Sequence, residues 1–368
     1  MRSLRSAIVA SISMFVLSLC IAELSHATDI PGAYAVRNLV SDGSVPADNT
    51  DPNLIDGWGI AFNPNGFVWV NSAVAGKSVL YDGNGVANSL VVSIPASTAG
   101  GQGIPTGIVF SSSNDFAVSN GAATGPSRFI FASLTGSISG WAPNVNLTNA
   151  IVAAEKSGAS YTGLALAANG TANFLYATDV RGGRIDVFDR TFAPTVLAGN
   201  FRDPRLPAGF VPFAIHNLQG NLYVAYGKRD ASGAFVQPGK GLGIVSVFDA
   251  DGRFIRRIAT GFQLNAPWGM AIAPANFGRF SNRLLVGNFG DGTIQAFDLP
   301  TGLWVGTMRT SDGQRLVIPV LWGMSFGNGI LNQPTNTLFF AAGPNFGQGG
   351  LYGRITPTTF RFGHDKED

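Results

Sequence analysis

Two side chains in this 368-residue sequence are the candidates for a catalytic acid or base: His216, in "PFAIHN", and Asp179, which closes "LYATD". An imidazole can move a proton near neutral pH. His216 stands where kindred phrases carry Ala61, Val109, Ala165, Ala271 and Ser325. No nucleophile or second histidine accompanies it, so a hydrogen-bonded core histidine accounts for it better than a general base. His364 lies in the charged tail "GHDKED". Catalysis by Asp179 or His216 stays open as the weaker alternative.

The more marked chemistry is aromatic. "DGWGIAFNP" at 56 to 64 returns as "APWGMAIAP" at 266 to 274 and "LWGMSFGNG" at 321 to 329. Related phrases are "PTGIVF", "YTGLAL" and "PFAIHN", and the aligned small residues are Gly59, Gly107, Gly163, Ala214, Gly269 and Gly323, spaced 48 to 56 residues apart. A fixed period of this length signals a repeat architecture. Each unit continues with a second apolar strand ("FVWVN", "FIFAS", "LYATD", "LYVAY", "LLVGN", "LFFAA") and a third after a Gly-bearing turn ("GRIDVFD", "GIVSVFD", "GTIQAFD"). A fourth follows in five units. Four short strands in about 50 residues describe a β-propeller blade.

The expected fold is therefore all-β: a six-bladed β-propeller of four-stranded blades. The sixth unit stops after three strands, and "AYAVRNLV" at 33 to 40 supplies the missing one. The N-terminal strand is expected to complete the last blade and close the ring, which removes two free sheet edges. The residues before the repeated small position then gather at one channel mouth. Trp58, Phe213, Trp268 and Trp322 are the expected ligand-binding aromatics, with Asn71, Asp179, Tyr226 and Asn288 at second-strand ends as their polar neighbours. The opposing expectation is that the rings plug the channel with their N–H groups bonded to backbone. The loop "GKRDASGAFVQPGKGLG" at 227 to 243 is long for its place and could cover that mouth. Asp82, Asp189, Asp249 and Asp298 each enter a turn, where the side chain bonds nearby N–H groups, so they read as turn residues.

Composition bounds the rest. Charged residues make up 12% of the chain, against roughly 25% in an average soluble domain. The net charge of +2 comes without a basic stripe, so nucleic acid is not an expected partner. Residues 1 to 27 read as a signal peptide: Arg2 and Arg5, an apolar run from Ala7 to Ala22, then Ser25-His26-Ala27. The mature chain would span a propeller at 28 to 360 and a charged tail at 361 to 368, without a cysteine once Cys20 is removed and without a membrane span. A monomer, exported to the periplasm or the extracellular space, is expected.

The blade phrase, P-x-G-I-A with G-x-I-x-V-F-D, resembles the NHL-type propeller repeat. "NLVSDGSVPADNTDPNLIDGWGIAFNPNGFVWVNS", "RFIFASLTGSISGW" and "GRIDVFD" resemble a family of bacterial secreted proteins, some of which end in a PEP-CTERM sorting signal that "RFGHDKED" lacks. That family implies no activity. Gluconolactonase-like propellers are more distantly similar. They imply a channel metal held by Glu, Asn and Asp, but the blade-start positions here read Trp, Thr, Thr, Phe, Trp and Trp. No cofactor or metal site is expected, with a divalent ion such as calcium kept as an alternative. The function expected is a binding module for a small molecule, glycan or peptide. A gluconolactonase-like or lyase-type enzyme and a protein-interaction scaffold are the alternatives.

Overall fold

A computed structural model describes residues 30 to 170 and 172 to 360. The leader assigned to 1 to 27, with Cys20, and the tail at 361 to 368, with His364, lie outside the described residues. Six antiparallel sheets form the blades of a propeller. From the inside outward, blade one runs Gly57–Phe62, Val68–Ser72, Lys77–Tyr81 and Ala87–Ser93. Blade two runs Pro105–Phe110, Phe129–Ser133, Ser137–Trp141 and Ile151–Glu155, and blade three Tyr161–Ala168, Asn173–Asp179, Arg184–Phe188 and the two-residue Pro194–Thr195. Blade four is Phe210–Leu218, Asn221–Lys228, Gly243–Phe248 and Phe254–Thr260, and blade five Pro267–Ile272, Arg283–Asn288, Ile294–Asp298 and Trp304–Thr307.

Blade six takes Leu321–Phe326, Leu338–Ala342 and Leu351–Phe360 from the C-terminal end and Ile30–Ser41 from the N-terminal end. The N-terminal strand pairs antiparallel with Leu351–Phe360, in a register that sets Val36 opposite Ile355. Closure by this strand is the arrangement expected from the sequence. Tyr34 pins it to blade five: its hydroxyl donates to the Phe277 carbonyl and accepts from the Phe280 N–H, both at 3.0 Å.

Second strands such as Phe129–Ser133 are buried at every position, because blades cover both of their faces. Outer strands such as Phe254–Thr260 are only partly buried, as expected of an edge facing solvent. The repeated glycine has a packing cause. A Cβ on Gly59 would lie 2.2 Å from the Thr106 carbonyl oxygen of blade two, and one on Gly323 would lie 2.6 Å from the Trp58 carbonyl oxygen of blade one. Neighbouring inner strands approach too closely there for any side chain. The turn aspartates act as expected: Asp249 Oδ1 accepts from the Asp251 and Arg253 N–H groups at 2.9 and 2.8 Å.

Candidate functional site

The three Trp-Gly phrases do converge on one end of the channel. The Trp58 and Trp322 rings stack with centroids 3.7 Å apart and planes 14° apart, and Phe289 stacks on the far face of Trp322 at 4.3 Å. Trp268 meets Trp58 and Trp322 edge-on at 6.4 and 6.1 Å, and Phe213 lies 6.0 Å from Trp322. Trp58, Trp268 and Trp322 are each 3% exposed and Phe213 is fully buried, so the rings fill this mouth as a packed plug. The Trp268 N–H crosses to the Thr162 carbonyl of blade three at 2.9 Å. The long blade-four loop lays Phe235 over the plug, edge-on to Trp58, Phe213 and Trp322.

The polar residues chosen at second-strand ends have separate tasks. Asp179 Oδ1 accepts from the Ser160 and Gly182 N–H groups at 3.1 and 2.8 Å, and Asn288 Oδ1 from the Asn265 N–H at 3.0 Å. In blade one the corresponding residue is Ser72, whose hydroxyl oxygen accepts from Ile55 N–H at 2.7 Å. Each staples the loop that enters its inner strand. Asn71 falls one residue earlier and donates instead to the Thr106 carbonyl of blade two at 2.9 Å, leaving its Oδ1 buried without a partner. Tyr226 turns into the packing between blades three and four, beside Tyr176 and Phe201. The structure thus brings Trp58, Phe213, Trp268 and Trp322 together and assigns the four polar residues to strand and loop contacts.

Below the plug, the channel is a cavity of about 560 Å³ lined by inner-strand residues of all six blades, among them Phe62, Phe110, Leu166, His216, Met270 and Phe326. Each inner strand has a sheet neighbour on one side only, so its free backbone edge is available to this space. His216 Nε2 lies 3.1 Å from the Trp268 carbonyl oxygen, and its ring stands edge-to-face on Trp268 at 5.4 Å. A carbonyl only accepts, so Nε2 carries the proton and Nδ1 is left as the acceptor. Desolvation, only partly offset by that bond, lowers the imidazole pKa from 6.5 to about 4, which keeps the ring neutral.

Asp56 is a functional candidate that the repeat alignment passed over. It is 8% exposed, and its Oδ1 accepts from the Trp322 indole N–H at 3.1 Å. Burial, against that one bond, raises its pKa to about 7. In the sequence it is only an acid immediately before Gly57-Trp58; the structure holds it at a φ of 56° that few side chains adopt. Among the described residues no group of three or more His, Cys, Asp or Glu side chains could hold a metal ion, and no helix is long and apolar enough to cross a membrane.

No protein-family model matches the chain. An uncharacterized protein of Acanthamoeba polyphaga mimivirus is 32% identical over 333 residues, spanning 88% of this chain and 80% of the viral protein. A second uncharacterized mimivirus protein is 31% identical over 301 residues, spanning 79% and 78%. These viral relatives correct the expected membership of a bacterial secreted family. Short blade phrases are constrained by propeller geometry and carry little information about the host. Among solved structures, a protein assigned by family as a gluconolactonase superposes with a TM-score of 0.52 at 13% identity, covering 91% of this chain and 96% of that one. A streptogramin B lyase gives 0.50 at 13% identity, covering 89% and 98%. At such identities the likeness extends to the fold alone.

Proposed function

The chain belongs to the family of these uncharacterized mimivirus proteins, and from that premise we propose that it is an exported binding module whose ligand enters the blind half of the central channel. The observation that carries this reading is the cavity itself. It is walled by all six inner strands, its aromatic end is packed shut, and its volume of about 560 Å³ lies within the usual range for small-molecule pockets. Free strand edges offer N–H and C=O groups, apolar side chains offer contact area, and His216 offers one neutral acceptor nitrogen. A small, uncharged molecule with hydrogen-bonding groups suits that lining, because an ion there would lose its hydration without a counter-charge. Export rests on the signal-peptide pattern of residues 1 to 27.

A catalytic reading gains less support. Asp179 is committed to two backbone N–H groups and lies 3.5 Å from Arg184, while His216 bonds the Trp268 carbonyl, so the two share no partner. The test is a thermal-shift screen of neutral small molecules on the mature chain and on Ser325→Phe, which places a ring in the cavity. A ligand at a hundredfold excess over its Kd adds about 2.7 kcal/mol to apparent stability. Hits that stabilise the native chain and lose their effect in Ser325→Phe support the reading. Hits that stabilise both equally, or a screen without hits, count against it.

A further inference from the structure

A second concavity lies away from the channel, on the rim of blade five. It has a volume of about 510 Å³ and is lined by Lys240, Arg279, Arg309 and Arg315, with Asp291 as its single acid, around the Trp304 ring. Among the described residues, none of these four cations has a carboxylate within ion-pair distance. Arg37, Lys156, Arg184, Arg253, Arg257 and Arg283 are paired, while others such as Arg128, Arg229 and Arg354 are not, so what marks this place is the convergence of four cations on one concavity. A positive site with one acid has been left without internal neutralisation, and that costs self-repulsion unless an anion relieves it.

The aromatic member of the site is held in place. Trp304 sits on the outermost strand with 47% of its surface exposed, and its N–H donates to Gln295 Oε1 at 2.9 Å. The same oxygen accepts from the Thr307 hydroxyl at 2.8 Å, and Gln295 Nε2 donates to the Thr293 hydroxyl at 2.8 Å. Gln295 and Thr293 are each 5% exposed, so this chain of bonds fixes the indole from beneath while leaving much of the ring in solvent. Gly306 packs against the Phe280 ring, which would lie 3.2 Å from a Cβ there, with the Arg279 guanidinium in ordinary contact at 3.8 Å. A fixed, half-exposed indole beside guanidinium groups that lack a carboxylate partner, with Arg309 bonded to the Gly313 carbonyl and Arg279 over the Phe280 ring, is suited to a ring that is apolar on its face and anionic at its edge.

We infer that this rim pocket binds an acidic carbohydrate, with a sugar ring stacked on Trp304 and its carboxylate held by Arg279, Arg309 and Arg315. Arginine forks match a carboxylate in two-point geometry, and Gln263 and Thr307 on the lining can serve sugar hydroxyls. The site is separate from the channel, so it stands or falls independently of the reading proposed above.

The experiment is calorimetric titration of the mature full-length chain with trigalacturonate, using maltotriose as the neutral sugar and triglutamate as the acid without a sugar ring. Trigalacturonate is expected to bind at least about tenfold more tightly than either control, and to weaken as salt shortens the Debye length from about 30 Å at 0.01 M to about 3 Å at 1 M. Trp304→Ala is expected to cost about tenfold in affinity, a loss that stacking of this kind can account for. Arg315→Gln, at an exposed position with little bearing on folding, is expected to weaken trigalacturonate but not maltotriose. Ser325→Phe should leave the affinity unchanged. Equal binding of all three probes, unchanged affinity in Trp304→Ala, or no binding of trigalacturonate would each overturn the inference.

Discussion

Trp322 of blade six donates its indole N–H to the Asp56 carboxylate, 3.1 Å away on the loop that enters blade one. The bond crosses the seam where the ring closes, and a Cβ on Gly343 would fall 2.0 Å from the same carboxylate oxygen, so the acid is walled in by backbone. Its proton is therefore coupled to folding. His216, on the other side of the plug, is coupled in the opposite sense.

Burial raises Asp56 from 3.8 to about 7, so between those values unfolding releases a proton and stability falls as pH rises. Burial lowers His216 from 6.5 to about 4, so between those values unfolding takes up a proton and stability falls as pH drops. The two contributions oppose each other from about pH 4 to 6.5. Asp56→Asn is expected to leave stability that declines as pH is lowered through that window. His216→Gln should leave stability that declines as pH rises from about 4 to 7. Each slope is bounded by one proton, about 1.4 kcal/mol per pH unit. Urea midpoints across a pH series measure both, and two variants with the wild-type profile would show the coupling to be absent.

The aromatic plug makes a second prediction. Trp322 is sandwiched between Trp58 and Phe289, so Trp322→Ala should open a void and cost roughly 3 to 5 kcal/mol. Phe235 is only partly buried, and Phe235→Ala should cost roughly 1 to 2 kcal/mol while uncovering the stack. Acrylamide quenching of tryptophan emission reads the difference. It should rise in Phe235→Ala under conditions where the fold is intact, and unchanged quenching would mean the loop does not cover the rings.

The repeat was legible because its cause is local: inner strands touch at Gly59, Gly107, Gly163, Gly269 and Gly323, and only a missing Cβ permits that approach. Ring closure followed from counting strands in the sixth unit. The register in blade one was less legible, since Asn71 and Ser72 are both polar and only pairing with Gly57 identifies Ser72 as the loop staple. The state of the aromatic mouth depends on Phe235 and Phe289, which come from loops outside the repeat phrase and reach the rings only through tertiary packing. Asp56 was missed for a related reason. Its partner Trp322 lies at the other end of the chain, and no local pattern reports a bond across the seam.

Asp203 is fully buried and accepts from Arg257 Nε at 2.9 Å and from the Ser246 hydroxyl at 2.7 Å. Burial alone would raise its pKa, but Arg257, Ser246 and the Arg205 N–H together hold it below the usual carboxylate range. Its contribution to stability is thus present above the ordinary carboxylate pKa and lost as pH falls through the lowered one. Asp203→Ala should cost roughly 3 to 5 kcal/mol at neutral pH, because Arg257 is left largely buried without a counter-charge. Adding Arg257→Met should recover much of that loss, as measured by denaturant unfolding of the double variant. A double variant no more stable than Asp203→Ala would point to packing rather than charge.

Ring closure makes the last prediction. Tyr34 holds the N-terminal strand through one donated and one accepted hydrogen bond, and its ring stacks on Phe280 with centroids 5.7 Å apart. Tyr34→Phe keeps the ring and removes the hydroxyl, which leaves the Phe277 carbonyl and the Phe280 N–H without that partner and should cost roughly 1 to 3 kcal/mol. The loss should be felt first where the ring is joined by hydrogen bonds between the chain's two ends. Amide exchange is therefore expected to quicken along Ile30–Ser41 and Leu351–Phe360 before it changes in blade three. Freed edges of that length invite pairing with another molecule, so light scattering at high concentration should rise in the same variant. Exchange that quickens uniformly around the ring would mean that the seam is no weaker than any other blade boundary.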